Sequence, residues 1–259
     1  MFINTISNSK RDTYKQCKLK YRYKYVDKYN EPDSLNTDAL HFGSYIHKIF
    51  EEGVESTSVD QLKGIAEDLK VNYTFSKAYN AKIDPCLKNF LRLNASFSEV
   101  GTSEQHFNLE IAEGITINGY IDRIIKGNNG GYLVLDYKTS KREKSKIDLF
   151  QDSQMKGYVF AAHKLYNVPI ENITAGHYYP LTDNLITVKY TPTQIRVHIK
   201  SVLDDVWKIR KAKKTDLLPM QNQFCNWCSY KSYCTEFNEG RVVQTRLTEA
   251  TKRTGRKHP

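Results

Sequence analysis

The sequence predicts an α/β protein in which helices flank a mixed central β-sheet. Two observations lead to this prediction. Apolar residues recur with the 3.6-residue period of a helix over most of residues 9–98, and they change to the two-residue period of strands over residues 104–138. Helical and strand patterns then alternate over residues 148–211, as expected when helices cover the faces of a sheet.

The N-terminal part of the chain is predicted to be helical. Ser9, with Asp12 three residues later, has the pattern of a helix N-cap. Residues 30–38 are rich in Asn, Glu, Pro, Asp and Ser and are expected to form a loop. The helical patterns cover residues 9–28, 40–53, 59–75 and 79–98.

The central part of the fold is expected over residues 104–211, where strand patterns dominate. Gly127-Asn128-Asn129-Gly130-Gly131 has the composition of a turn between two strands of a meander. Thr191-Pro192-Thr193-Gln194 is a capping-box pattern with proline at the first helical position, so a helix should begin there. Strands are expected at residues 104–112, 115–126, 132–138, 173–180 and 184–190, and helices at residues 148–166 and 192–211.

Two acidic residues face each other if the central hairpin pairs Lys126 with Tyr132. Paired residue numbers then sum to 258, and Asp122 lies opposite Asp136 with Cβ atoms about 4.5–5.5 Å apart. Lys138 points to the same face as Asp136, two residues earlier. The opposite face is apolar except for Arg123, which needs a polar outlet; its apolar members are Ile121, Ile125, Leu133, Leu135 and Tyr137.

This hairpin has the chemistry of a metal site. Two facing carboxylates repel each other unless a cation lies between them, and oxygen ligands of this kind suit Mg²⁺ or Mn²⁺. An adjacent Lys138 could stabilise charge on a phosphate or help to orient an attacking water. The alternative is a surface pair of Asp122 and Asp136 whose charge Lys138 neutralises.

Composition favours a polyanionic partner. The formal net charge is +10 and the isoelectric point is about 9.2, and Lys and Arg that contact phosphates release condensed counterions. Residues 7–28 contain eight basic residues against two acidic ones, and residues 241–259 contain six against one. The alternative is that both segments are simply solvated.

The chain has no apolar run near the length of a membrane span, and its first residues do not resemble a signal peptide, so we expect a cytoplasmic protein without a membrane partner.

Several motifs occur in the order typical of one enzyme family. They are Gly43-Ser44-Tyr45-Ile46-His47, Gly119-Tyr120-Ile121-Asp122, Asp136-Tyr137-Lys138 and Gln154-Met155-Lys156-Gly157-Tyr158. This set resembles the RecB-like branch of the PD-(D/E)XK nucleases over roughly residues 5–236. The resemblance implies the fold predicted above and hydrolysis of phosphodiester bonds by a metal-activated water.

The resemblance also assigns roles to single residues. It implies that His47, Asp122 and Asp136 bind Mg²⁺ or Mn²⁺, together with the backbone carbonyl of Tyr137. Lys138 would assist the attacking water, and Gln154 and Tyr158 would position the substrate strand and the lysine. Glu110 would be an accessory acid on the strand before the hairpin.

The cysteines suggest a second metal centre. Five cysteines in a chain without an export signal argue against a disulfide framework, and Cys225, Cys228 and Cys234 form a C-x2-C-x5-C pattern. With Cys17 as a fourth ligand, the layout resembles the ligand set of the [4Fe–4S] cluster in AddB and in CRISPR-adaptation nucleases. One difference is that Lys18 stands where relatives usually have proline. Four thiolates also suit Zn²⁺, and unliganded cysteines are the third alternative. Cys86 is expected to be a buried apolar residue.

Together these features predict one nuclease domain over residues 1–239, with a helical part at about 9–98, a core at about 104–211 and the cysteine cluster at 225–234. A basic, disordered tail is expected over residues 240–259.

The predicted function is a DNA exonuclease acting on single strands or DNA ends in recombination, repair, CRISPR adaptation or viral DNA processing. The alternatives are an endonuclease and a non-catalytic DNA-binding subunit of a larger complex. Because the chain has no phosphate-binding loop motif, any helicase or other recombination or adaptation partner would be a separate chain.

Overall fold

The structure is a computed structural model that describes residues 3–32, 37–128 and 130–238. The tail predicted over residues 240–259 lies outside these residues. None of the described helices is long and apolar enough to cross a membrane.

The described residues form two compact units. The sheet unit consists of residues 3–8 and 37–207, and the cysteine unit consists of residues 9–32 and 208–238. The single domain expected over residues 1–239 stays a prediction.

Among the described residues, six strands form one sheet, which lies in the sheet unit. They are β1 (Thr5–Ser7), β2 (Thr102–Ala112), β3 (Ile115–Lys126), β4 (Tyr132–Tyr137), β5 (Ile173–Tyr179) and β6 (Asn184–Lys189). The order is β1-β3-β4-β5-β6, and β2 pairs with β3 on its other side. β2, β3 and β4 form the predicted antiparallel meander, whereas the β1–β3 and β4–β5 pairs are parallel, so the sheet is mixed as predicted.

One edge of β3 is shared by two strands. β1 pairs with Thr116, Ile117 and Asn118, and β4 pairs only from Arg123 onward. Between these stretches, β3 has no strand neighbour on this edge in the described part of the chain. The pairing between β3 and β4 therefore stops at Asp122. At this position side chains, and not the backbone of β3, contact the backbone of β4.

The helices of four or more residues in the described regions are α1 (Asn8–Gln16), α2 (Lys18–Tyr21), α3 (Asp38–Glu52), α4 (Val59–Lys70), α5 (Lys77–Asn80), α6 (Ile83–Ala95), α7 (Lys146–Gln151), α8 (Ser153–Tyr166), α9 (Pro192–Lys211) and α10 (Thr235–Asn238). A π-helical turn, Arg22–Val26, follows α2. Short 3-10 turns lie at Ile170–Asn172, Lys214–Asp216, Cys225–Trp227 and Lys231–Tyr233.

Side-chain caps fix where several helices begin. At the start of α9, the Gln194 side chain accepts the N–H of Thr191 at 2.8 Å, and the Thr191 hydroxyl accepts the N–H of Gln194 at 3.3 Å. This confirms the predicted capping box with Pro192 in the first helical position. Ser58 and Gln61 make the same reciprocal pair at the start of α4.

Two helices that we predicted as continuous are interrupted. The helix expected over residues 9–28 breaks at Cys17, whose backbone is extended with φ −160° and ψ 116°. The helix expected over residues 148–166 breaks at Asp152, with φ −62° and ψ 121°. The Asp152 carboxylate then accepts the backbone N–H groups of Gln154 and Met155, so the break creates the N-cap of α8.

A large apolar core lies between the sheet and α3, α4 and α6. It includes Phe42, Ile46, Ile49, Phe50, Leu62, Leu87, Phe90, Ile125, Leu135, Tyr137 and Tyr178. Arg123 is fully buried and has the polar outlet that the sequence required. Its guanidinium donates twice to the carbonyl of Val100, at 3.0 and 2.6 Å, and also to the side chain of Asn94. These bonds let a charged residue occupy the apolar face of β3.

Candidate active site

The predicted register of the central hairpin is confirmed. Arg123 pairs with Leu135 and Lys126 with Tyr132, so paired residue numbers sum to 258. Continued by one position, this register sets Asp122 opposite Asp136 where the sheet opens. The Asp122 carboxylate accepts the backbone N–H of Tyr137 at 2.7 Å and takes the place of a ladder bond.

Both carboxylates are buried, with Asp122 only 8% exposed and Asp136 2% exposed. Burial raises the pKa of Asp122 well above its usual value, and the negative charge of Asp136 raises it further. A cation bound between two such groups would relieve both effects. The pair therefore has the electrostatics of a metal-binding site.

His47 lies on α3 and approaches the same position. Its Nε2 atom lies 2.9 Å from the carbonyl oxygen of Tyr137, and its Nδ1 atom lies 3.4 Å from the carboxylate of Asp122. Burial lowers the pKa of His47, which favours the neutral imidazole that binds metal ions. The structure thus brings together His47, Asp122 and the Tyr137 carbonyl, three of the groups to which the family resemblance assigns metal binding.

Glu104 on β2 is a member of this group that sequence reasoning missed. Ligand atoms of His47, Glu104 and Asp122 all lie within 4.8 Å of one another. Glu104 lies between Ser103 and Gln105, which pair with the neighbours of Asp122, and its φ of 45° is unusual for a residue other than glycine. Burial raises its pKa, and the charge of Glu51 adds to this shift.

Glu110, the predicted accessory acid, lies elsewhere on β2. Its carboxylate is exposed and accepts the N–H of Gly114 at 2.8 Å, in the turn between β2 and β3. It lies six positions along the strand from Glu104, which corresponds to about 20 Å. The carboxylate that β2 contributes to the group is therefore that of Glu104.

Lys138 follows the end of β4 and lies beside Asp136. Its ammonium nitrogen is 2.5 Å from Asp136 Oδ2. Burial lowers the pKa of Lys138, but the carboxylates of Asp136 and Asp122 raise it more, so the pKa lies above its usual value. The site therefore contains a fixed positive charge at one side of its carboxylates.

Gln154 and Tyr158 lie four residues apart on α8 and share one face of it. Gln154 Nε2 donates to Asp136 Oδ1 at 3.0 Å and to the Tyr158 hydroxyl at 2.7 Å. Burial raises the pKa of Tyr158 well above its usual value, and the charges of Asp122 and Asp136 add to the shift, so Tyr158 keeps its proton. All the residues predicted for the hydrolytic site, except Glu110, are connected to this group.

Clustered carboxylates, a neutral imidazole and an ammonium group form a site that can hold a divalent cation beside a phosphate. The model of the PD-(D/E)XK nuclease superfamily matches residues 5–235. The chain belongs to the PD-(D/E)XK nuclease superfamily. The superfamily is one of nucleases, and PD-(D/E)XK nucleases use divalent metals.

Curated relatives of this chain are much longer proteins. Over 154 residues it is 29% identical to an ATP-dependent helicase/deoxyribonuclease subunit of Streptococcus agalactiae, a match that covers 53% of this chain and 14% of that protein. Over 190 residues it is 25% identical to the protein of the same name from Streptococcus pyogenes, which covers 65% of this chain and 18% of that protein. The chain therefore matches less than a fifth of the length of these relatives.

A solved structure has the same fold as this chain. It is that of a candidate exonuclease from Eubacterium rectale, with a TM-score of 0.58 and 15% sequence identity. The match covers 98% of this chain and 94% of the other. At this level of identity the similarity is one of fold.

The four cysteines predicted to bind a second metal centre meet in the cysteine unit. Cys17, Cys225, Cys228 and Cys234 line one cavity of about 40 Å³. The sulfur of Cys17 accepts the N–H of Met220 at 3.5 Å, and the sulfur of Cys225 accepts the N–H of Asn222 at 3.3 Å. Cys86 is fully buried in the sheet unit, as predicted for an apolar residue.

Proposed function

We propose that this chain is a DNA exonuclease that hydrolyses phosphodiester bonds with Mg²⁺ or Mn²⁺. The observation that supports this most strongly is the approach of His47, Glu104 and Asp122 within 4.8 Å, beside the Asp136–Lys138 ion pair. A metal-dependent nuclease needs a divalent cation near the phosphate, and a neighbouring positive charge stabilises the transition state; this group offers places for both.

In this proposal His47, Glu104, Asp122 and Asp136 hold the metal, together with the carbonyl of Tyr137. The donor set fits, because neighbouring ligands of an octahedral ion with bonds of about 2.0–2.1 Å lie about 3 Å apart. The distance between His47 Nε2 and the Tyr137 oxygen is 2.9 Å. When bound, the ion supplies an activated water and neutralises charge that develops on the phosphate.

The remaining groups act on the substrate and on one another. Lys138 is placed to stabilise the negative charge of the pentacovalent phosphate or to orient the attacking water. Gln154 holds Asp136 Oδ1 by its hydrogen bond, and Tyr158 holds Gln154. This chain of contacts restrains one of the two oxygens of the Asp136 carboxylate.

An exposed aromatic pair beside the site supports a single-stranded substrate. Tyr120 and His106 pair across β3 and β2, their ring centroids lie 4.8 Å apart, and Tyr120 is 56% exposed. Tyr120 points to the same side of β3 as Asp122, about 7 Å along the strand. An unpaired base next to a bound phosphate could stack there, whereas a base within a duplex is already stacked on its neighbours.

The test of this function is degradation of end-labelled linear and covalently closed single-stranded DNA of the same sequence, with Mg²⁺, Mn²⁺ or EDTA. We expect metal-dependent loss of the linear DNA, an intact circle and no activity in Asp136→Asn. Cleavage of the circle would show an endonuclease instead. If the wild type binds DNA with metal present but never cuts it, the function is that of a non-catalytic subunit or requires a partner chain.

We also propose that Cys17, Cys225, Cys228 and Cys234 hold a [4Fe–4S] cluster. Their shared cavity and the N–H groups donated to two of the sulfurs support this, because such bonds stabilise cluster thiolates. The alternative for the same four thiolates is Zn²⁺. Iron, sulfide and zinc analysis of anaerobically purified protein, with its visible absorption spectrum, decides between them. A brown protein with about four irons supports the cluster, and a colourless protein with one zinc would contradict it.

DNA and a separate helicase chain are the proposed partners. The curated relatives carry both helicase and deoxyribonuclease in their names, and this chain spans only a small part of their length. The cysteine unit contains fourteen Lys or Arg against five Asp or Glu among its described residues, a net charge of +9. That concentration of positive charge favours contact with phosphates.

A further inference from the structure

A buried histidine lies directly behind the proposed metal ligands. His177 on β5 has no exposed surface, and its Nε2 atom lies 3.6 Å from Asp136 Oδ2 and 3.7 Å from Asp152 Oδ2. In the described part of the chain, neither ring nitrogen makes a hydrogen bond. A polar ring is seldom buried without a hydrogen-bond partner, so this arrangement calls for an explanation.

The geometry suggests a hydrogen bond from His177 that forms when a metal ion occupies the site around Asp136. Hydrogen bonds between nitrogen and oxygen span about 2.7–3.2 Å, so both distances exceed that range by about half an ångström. A small rotation of the Asp136 carboxylate would close one of them. The same oxygen of Asp136 now pairs with Lys138 at 2.5 Å.

Asp152 connects this histidine to the start of α8. One carboxylate oxygen of Asp152 accepts the N–H of Gln154 at 2.8 Å, and the other pairs with the ammonium of Lys144 at 2.7 Å. Gln154 in turn donates to Asp136 Oδ1. Gln154 and His177 therefore approach the two oxygens of the Asp136 carboxylate. Asp152 contacts both Gln154 and His177.

We infer that His177 is a positioning residue that donates an Nε2–H hydrogen bond to Asp136 Oδ2 and holds this carboxylate in its metal-binding orientation. Asp152 caps the helix that carries Gln154 and lies 3.7 Å from the His177 ring. The inference rests on the proposed function, in which Asp136 binds the metal. Residues that hold metal ligands in this way typically contribute about 10–100-fold to metal affinity or activity.

Two polar substitutions of the full-length chain test this inference. The amide nitrogen of a glutamine can occupy the place of histidine Nε2, whereas that of an asparagine reaches only the place of Nδ1. We therefore expect His177→Asn to weaken Mn²⁺ binding or lower kcat by about 10–100-fold with an unchanged KM for DNA. His177→Gln should stay within about threefold of the wild type, a margin well inside that range.

His163→Asn is the matched control. His163 lies on α8, and its Nδ1 atom is 2.7 Å from the carbonyl of Val168. We expect this variant to keep the Mn²⁺ affinity of the wild type, which electron paramagnetic resonance of free Mn²⁺ measures directly. Equal effects of His177→Asn and His177→Gln, or no effect of either, would overturn the inference.

A measurement on the wild type covers the case in which a variant does not fold. Nitrogen-15 NMR of the imidazoles should show His177 with its proton on Nε2, and Mg²⁺ should shift this resonance. A resonance that Mg²⁺ leaves unchanged, in a protein that binds Mg²⁺, would refute the positioning role alone. A wild type that binds neither Mg²⁺ nor Mn²⁺ would refute the proposed function, and this inference with it.

Discussion

Glu104 offers the sharpest test of how the metal group is built, because the same strand carries a matched acid outside it. Glu104→Gln keeps the shape of the side chain but removes one of the three charged or imidazole groups that lie within 4.8 Å of one another. Burial and the charge of Glu51 raise the pKa of Glu104, so the metal-free protein should not lose stability through this change. The affinity for the metal ion should decrease instead.

The expected magnitude follows from linkage between binding and folding. At a Mn²⁺ concentration of 100 times Kd, binding raises the free energy of unfolding by about 2.7 kcal/mol. For a protein of this length, that corresponds to a rise in Tm of about 5–10 °C. If Glu104→Gln weakens binding 100-fold, the same Mn²⁺ concentration stabilises the variant by only about 0.4 kcal/mol, or about 1–2 °C.

The assay is thermal unfolding in EDTA and in Mn²⁺ for the wild type, Glu104→Gln and Glu110→Gln. Glu110 is exposed at the β2–β3 turn, so Glu110→Gln should show the full Mn²⁺-dependent rise in Tm. The reasoning is refuted if Glu104→Gln keeps the full rise, or if both variants lose it equally.

Two further predictions concern pH and the cysteines. Because the pKa of Asp122 in the folded protein is raised above its unfolded value of 3.8, the folded state keeps this proton and stability should fall as pH rises from about 4 towards neutrality. In EDTA, Asp122→Asn should flatten this decline in denaturant unfolding curves, and an unchanged slope would contradict the shift. Cys228→Ala should lose iron and speed hydrogen exchange in residues 9–32 and 208–238, because a link between Cys17 and Cys228 spans more than 200 residues. Cys86→Ala should keep its iron, and full iron and stability in Cys228→Ala would rule out the cluster.

The sequence could predict the central hairpin because two independent signals agree there. The Gly-rich turn after Lys126 sets the register with Tyr132, and the apolar alternation of both strands allows only that face to be buried. This register by itself places Asp122 opposite Asp136. By contrast, β1 contains only three residues, Thr5–Ser7, and so short a strand has no periodicity to detect.

Glu104 could not be predicted, because its position depends on an irregularity in β2. Ala112 pairs with Ile115, but Glu110 pairs with Thr116, so the register shifts by one residue between these pairs. Without that shift, Gln105 would lie opposite Asp122 and Glu104 would point to the other face. Nothing in the composition of this turn indicates the shift, so sequence reasoning selects Glu110 and not Glu104 from this strand.

The contacts behind the metal group were missed for a related reason. Asp152 falls inside a stretch with a continuous helical pattern, and only its extended backbone shows that it caps α8. His177 lies in a strand pattern of apolar residues, where a single histidine gives no signal of its own. Both residues contact Asp136 or its neighbours only through tertiary packing, which the sequence pattern does not encode.

The central claim is that the group around Asp136 hydrolyses DNA, and Lys138 tests it most directly. The measurement is the rate of cleavage of a single-stranded oligonucleotide with Mn²⁺ by the wild type, Lys138→Ala and Lys141→Ala, the last being an exposed lysine three residues further on. We predict that Lys138→Ala lowers kcat by about 100–1000-fold, the usual effect of removing one group that stabilises the transition state, while Lys141→Ala stays within about twofold of the wild type. Equal rates for wild type and Lys138→Ala would contradict the account.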